Sequence, residues 1–285
     1  MTESYQTKNR KLVLDGKGYV RLIDHMGSDL TAVNAARASY MKESDTLTNK
    51  DERLLKYLTN HGHHSPFRHA TVSLEIKAPV MVARQLFKYR IGHKHGPDTA
   101  ELMGEQVPEE LWNAVVEYLQ YIFQYVGLGD DYGGPDVFYS RNEASRRYVT
   151  LEPEFYIPRE DQWRTAPPVG QSKQGSGGII PDEQVRSLLT SGLKFHIEES
   201  MKLYKQALKK GVAGEQARLF LPMYAMYTTW RWTASLQGIL WMLEQRLSHD
   251  AQSETREYAE AIYQLVKPLF PYTFKYWKGV DNRVQ

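Results

Sequence analysis

Residues 71–90, TVSLEIKAPVMVARQLFKYR, change their period in mid-course. Val72, Leu74 and Ile76 alternate with Ser73, Glu75 and Lys77, the two-residue repeat of a strand buried on one face. Pro79 then suits the first turn of a helix, which the reading carries to about Arg90. On that helix Gln85 and Lys88 stand three apart and share a face.

Upstream, Val13 and then Tyr19, Val20, Leu22 and Ile23 predict a hairpin with Gly16 and Gly18 in its turn. Ser28 or Asp29 can cap a helix through Ala36. Asn49-Lys-Asp-Glu opens another, with Leu54, Leu55 and Leu58 on one face and Gly62 at its end. Downstream, a helix is expected from Pro108 to Val126, a short strand over 154–157 and a mobile loop over 164–180. Pro181-Asp-Glu starts a long amphipathic helix stopped by Gly211, and further helices are expected near 214–220, 232–247 and 251–267. No repeat and no linker divides the chain. The expected fold is one α+β domain over 1–285, with a small mixed or antiparallel sheet and a largely helical C-terminal half.

Composition narrows the chemistry. The 285 residues can bury a core without staples. Lys plus Arg number 36 against 34 Asp plus Glu, so charge gives no general case for nucleic acid or a membrane surface. There is no cysteine, which excludes disulfides, thiolate metal sites and thiol nucleophiles. No apolar run approaches the ~20 residues of a membrane span. The opening MTESYQTKNRK has no signal-peptide core, so a cytoplasmic protein is expected.

Three constellations could carry function. Six of the nine histidines lie between 61 and 95, as His61-Gly-His63-His64-Ser-Pro-Phe-Arg68-His69 plus His93 and His95. A metal hydrolase is one reading, but the metal-binding His-Glu-x-x-His helix is missing, and the expectation is no metal. Arg84, Gln85, Lys88 and Arg90, with Arg141, Arg146, Arg147, Arg218 and Arg246, offer guanidinium forks suited to phosphate, or merely a solvated surface. Asn142-Glu143-Ala-Ser145-Arg146-Arg147-Tyr148 is either a ligand loop or a capping box, since Ser140 precedes Glu143 by three.

Read together, these segments resemble the flavin-dependent thymidylate synthases. GYVRLIDHMGSDLTAVNAARASY is similar to the family's opening, HGHHSPFRH to its flavin-side turn, and RNEASRRY followed by EFYIP to the second half of its signature. ARLFLPMYAMYTTWRWTASLQGILWMLEQRLSHDAQSETREYA resembles its C-terminal helices. Two departures stand out. The family's Arg-His-Arg is Lys88-Tyr89-Arg90, and positions 91–144 separate it from Ser145 where the family has seven residues. Residues 91–139 are therefore read as an insertion containing a helix.

The resemblance implies reductive methylation of dUMP to dTMP, with methylenetetrahydrofolate as carbon donor and FAD reduced by NADPH. It implies a homotetramer with shared active sites and no nucleic-acid or membrane partner. Gln85, Ser145, Arg146, Arg147, Arg218 and Arg246 fall at its dUMP positions. Ser39, His63, Ser65, Arg68, Lys88, Tyr89, Arg90, Glu143, Ser235, Gln237 and Trp241 fall at its FAD positions. Arg246, Arg90 and Glu143 would be catalytic. The altered flavin-side residues keep two alternatives open: a related enzyme giving another C5 product such as hydroxymethyl-dUMP, or a non-catalytic nucleotide-binding homologue.

Overall fold

The computed structural model describes residues 9–89, 140–144, 152–168 and 176–277. The first hairpin pairs β1 (Arg10–Val13) with β2 (Gly18–Met26), turning at Gly16, whose φ of 80° suits glycine. Ser28 caps α1 (Asp29–Arg37), and Thr48 makes a capping box with Asp51 at the start of α2 (Asn49–Asn60). Then come β3 (Thr71–Pro79), α3 (Val80–Leu86) and β4 (Ser140–Glu143). Asp182 accepts two backbone N–H groups to open α4 (Glu183–Lys209), which Gly211 ends at φ 84°. The remaining elements are α5 (Gly214–Ala217), β5 (Tyr227–Ser235), α6 (Leu236–Arg246), α7 (Ser253–Val266) and α8 (Pro271–Tyr276).

The five strands form one antiparallel sheet in the order β1-β2-β3-β5-β4. The expected α+β class with an antiparallel sheet is what the chain adopts. The register sets Val72 against Ala234, Leu74 against Trp232 and Ile76 against Trp230, so their side chains stack on one face. That face is closed to solvent and packs on α6 and α7 through Leu236, Leu240, Tyr258 and Ile262. The other face is polar: Glu75 pairs with Arg21 at 2.8 Å and Arg231 at 3.5 Å, and the Ser73 and Thr233 hydroxyls meet at 2.8 Å. A second core, including Phe155, Ile197, Tyr204 and Leu221, fastens α4 to the segments before β5.

Several expectations are corrected. The helix expected over 232–247 begins only at Leu236. Residues 227–235 are instead a central strand, because Trp230, Trp232 and Ala234 alternate onto the buried face and Thr228, Thr229 and Thr233 favour extended backbone. The helix after Pro79 stops at Leu86, short of Arg90, and Phe87 turns its ring edge-on to Trp230, centroids 5.0 Å apart. Ser140–Glu143 is an edge strand, not a capping box. Over 154–157 there is only a bridge from Phe155 to Met226, since the flanking prolines Pro153 and Pro158 have no N–H to extend a ladder. Within 164–180, Arg164 bridges Ile179, and Ile180 donates its N–H to the Trp163 carbonyl at 2.9 Å. The 108–126 helix and the 91–139 insertion lie outside the described residues.

Candidate active site

A cavity of about 1340 Å³ opens where β3 passes into α3, beneath β4 and the start of β5. Four of the residues assigned to nucleotide or flavin positions meet there: Gln85, Lys88, Glu143 and Arg218. Each is placed by its element. Val80 donates its N–H to the Met226 carbonyl at 2.9 Å, tying α3 to the segment before β5 and turning Gln85 into the opening. Glu143 ends β4, and its carboxylate accepts from the Thr228 hydroxyl at 2.6 Å. Arg218 follows α5, and its Nε donates to the Gly214 carbonyl at 3.1 Å.

The wall also holds cations that the sequence grouped but did not assign. The Arg141 guanidinium lies 3.8 Å from the Phe87 ring centroid, and its Nη1 is buried with no hydrogen-bond partner among the described residues. Arg84 faces the Tyr224 ring at 6.0 Å. Among the described residues, five basic ones line the cavity (Lys77, Arg84, Lys88, Arg141, Arg218) against three acidic ones (Glu143, Glu152, Glu154), and Glu154 is taken up by an ion pair to Lys77. Tyr227 adds a fixed neutral acceptor: its one hydroxyl hydrogen is donated to the Asp15 carboxylate at 2.6 Å, and burial and that carboxylate push its pKa up. Excess cation beside aromatic rings suits a planar, phosphorylated ligand.

Arg246 does not line this cavity. It ends α6, with its guanidinium 5.3 Å from the Tyr89 ring and its Nε buried with no partner among the described residues. Burial raises the Tyr89 pKa more than the Arg246 charge and hydrogen bond lower it, so the phenol stays protonated at neutral pH. Arg90, Ser145, Arg146 and Arg147 lie outside the described residues. The described chain leads directly to Ser145, with the Ala144 N–H donated to the Thr229 carbonyl at 2.8 Å.

Of the remaining positions, His63, Ser65 and Arg68 lie on the turn after α2, and Gln237 meets it through Arg68. Pro66 and Phe67 are buried in a short 3-10 helix over Ser65–His69, which leaves Ser65, Arg68 and His63 exposed. Arg68 Nε donates to Gln237 Oε1 at 2.7 Å, while the Gln237 Nε2 is buried with no partner among the described residues. Ser235 is fully buried and caps α6 by accepting the Gly238 N–H at 3.1 Å, so it serves this side by fixing Gln237. Trp241 is half-buried against the core, and Ser39 is exposed on the 3-10 turn Ala38–Tyr40. Exposed hydroxyls, a guanidinium and an orphaned buried amide form a donor set that fits the phosphates and ring carbonyls of a flavin nucleotide. No group of three or more metal-ligating side chains occurs among the described residues. His61 and His63 stack on Tyr57 at 4.2 and 5.7 Å, and His64 lies against Trp277; His93 and His95 fall outside them.

The family model described as thymidylate synthase complementing protein matches residues 21–95 and 137–272. The flavin-dependent thymidylate synthase of Thermosipho africanus is 36% identical over 263 residues, covering 92% of this chain and 91% of that one. The chain belongs to the flavin-dependent thymidylate synthase family. A member from Thermus thermophilus is 33% identical over 259 residues, covering 91% of this chain and 74% of its own length. Among solved structures, a UMP/dUMP methylase, PolB from Streptomyces cacaoi, superposes with a TM-score of 0.67 at 22% identity, covering 94% of this chain and 98% of that one, which speaks for the fold. No helix among the described residues is long and apolar enough to cross a membrane.

Sequence reasoning grouped Arg84 and Arg141 with the phosphate-suited cations without giving them a place in the site of this thymidylate synthase homologue, and it passed over Lys77 and Thr228. The usable signal for Lys77 was the polar side of the alternation in 71–79; Thr228 shares the parity of Trp230 and Trp232 and meets Glu143 only because β4 pairs with β5.

Proposed function

We propose that the protein is a cytoplasmic, homotetrameric enzyme that methylates dUMP at C5 to give dTMP, with methylenetetrahydrofolate as carbon donor and FAD reduced by NADPH. The observation carrying this reading is the convergence of Gln85, Lys88, Glu143 and Arg218, distant in sequence, on one cationic cavity beside the strand that leads to Ser145.

In this reading Arg218, Arg146 and Arg147, with the Ser145 hydroxyl, hold the nucleotide phosphate by charge-assisted hydrogen bonds. Gln85 meets the ribose. Glu143, an acceptor anchored by Thr228, orients the nucleotide. Arg246, whose Nε has no partner among the described residues, stabilises negative charge developing on the uracil oxygen, and Tyr89 holds its guanidinium in place. Ser39, His63, Ser65, Arg68 and Gln237 hold the flavin nucleotide, with Trp241 and Ser235 behind them and Lys88, Tyr89 and Arg90 on its far side. When bound, the flavin supplies the hydride. The chain has no cysteine to attack the uracil ring, so activation of C5 rests on these polar groups.

The tetramer is supported by apolar side chains left in solvent: Leu188 (70% exposed), Phe195 (64%) and Leu203 on α4, and Met223 and Tyr224 at the cavity rim. The reading is tested by release of tritium from C5-tritiated dUMP. Release that requires FAD, NADPH and methylenetetrahydrofolate together supports it; a folded protein that releases none refutes it.

A further inference from the structure

Gln85 is not free to turn its amide either way. Its Nε2 donates to Gln252 Oε1 just before α7, and Gln252 Nε2 donates at 3.0 Å to Oε2 of Glu254, a buried carboxylate in the first turn of α7. The other oxygen of Glu254 is ion-paired with Arg164, whose Nε donates to the Ser176 hydroxyl at 2.8 Å. A carboxylate only accepts, so Gln252 must present its NH2 to Glu254; reversed, two acceptor oxygens would face each other. Gln252 Oε1 is then turned toward Gln85, which must in turn give up its NH2. With one amide N–H committed to Gln252, the fixed orientation leaves Gln85 Oε1 on the side of the amide away from Gln252, as an acceptor for the cavity that Gln85 lines.

The geometry points to Gln252 and Glu254 as positioning residues that fix the polarity of Gln85, so that Gln85 receives a hydrogen from a ribose hydroxyl rather than binding the phosphate. This rests on the dUMP reading above. An acceptor oxygen beside a phosphate would be repelled; beside the 3′-hydroxyl of dUMP it gains a partner. Arg164 extends the relay to the paired segments around 164 and 179, so the order of that region and the aim of Gln85 are coupled.

The test is a binding cycle with dUMP and its 3′-deoxy analogue, 2′,3′-dideoxyuridine 5′-monophosphate, measured by calorimetry on the full chain alongside thermal melts. Wild type should bind dUMP about tenfold more tightly than the analogue, the scale of one matched hydrogen bond. Gln252→Ala should lose most of that preference in the wild-type background and change nothing further in a Gln85→Ala background. Glu254→Gln, which keeps shape but frees the amide to flip, should act the same way and guards against a folding defect in the alanine variant. Equal binding of the two nucleotides by wild type, or a Gln252 effect that persists undiminished without Gln85, would overturn the relay. Failure of wild type to bind either nucleotide would instead remove the dUMP reading, and the relay with it.

Discussion

Replacing Gly18 by alanine should destabilise the protein by about 2–4 kcal/mol. Gly18 opens β2 opposite Val13. A Cβ there would run into the Tyr258 hydroxyl and lie 3.2 Å from both the Tyr258 ring Cζ and the Val13 carbonyl oxygen. Tyr258 is fully buried, and its hydroxyl donates to the Lys77 carbonyl at 2.7 Å, so it cannot swing aside without breaking that bond. Overpacking of this kind costs about 1–3 kcal/mol, and a disrupted buried hydrogen bond adds about 1 kcal/mol. Tyr258→Phe alone should cost about 1 kcal/mol, for the lost hydrogen bond. It also removes the clashing atom, so Gly18→Ala in that background should cost only about 1 kcal/mol. The double variant should therefore be no less stable than Gly18→Ala alone. Urea unfolding at one fixed protein concentration, followed by tryptophan fluorescence, measures the cycle. A neutral Gly18→Ala, or two costs that simply add, would refute the packing described between β2, β3 and α7.

Arg218→Ala should raise the Kd for dUMP about tenfold while moving Tm by no more than about 2 °C, because Arg218 gives up only an exposed hydrogen bond to Gly214; calorimetry and a thermal melt check both halves. Arg68→Ala should yield protein with less bound flavin on purification, read from the visible spectrum, because it strands Gln237 and removes a cation; unchanged flavin content would displace the flavin from this turn. Burial pushes the Asp51 carboxyl up, but the Thr48 hydroxyl and backbone N–H, the Arg37 charge and the Ser44 hydroxyl outweigh it and hold it below the usual carboxylate range. A depressed native pKa stabilises the fold above the unfolded value of about 3.9 and loses that contribution as pH falls through it. Asp51→Asn should thus cost roughly 2 kcal/mol near neutrality, with the gap to wild type narrowing below about pH 4, in unfolding free energies measured across that range.

The N-terminal elements were legible because their ends are marked by local chemistry. Ser28 and Thr48 cap α1 and α2, Gly62 and Gly211 stand at left-handed stops, and the alternation of 71–79 reports a strand whose faces differ. β5 was not, because the sequence passes from YTTWRWTAS into LQGILWML with no break in apolar character, and Ser235 is both strand end and helix cap. The two tryptophans at 230 and 232, two residues apart, carried the strand signal. β4 has no apolar residue at all; its pairing to β5 is a tertiary fact that no local pattern encodes. The site divides the same way. Gln85, Lys88, Glu143 and Arg218 were found through the motifs they sit in, whereas Lys77 and Thr228 depend on strand order, and Gln252 and Glu254 on the packing of α7 beside α3.

The most direct measurement is mass spectrometry of dUMP incubated with the purified protein, FAD, NADPH and methylenetetrahydrofolate. A methylated nucleotide that disappears when any one of the three is left out is the predicted result, and it would show that Lys88-Tyr89-Arg90 supports the chemistry. Unchanged dUMP from a folded protein, or a hydroxymethylated product, would contradict it.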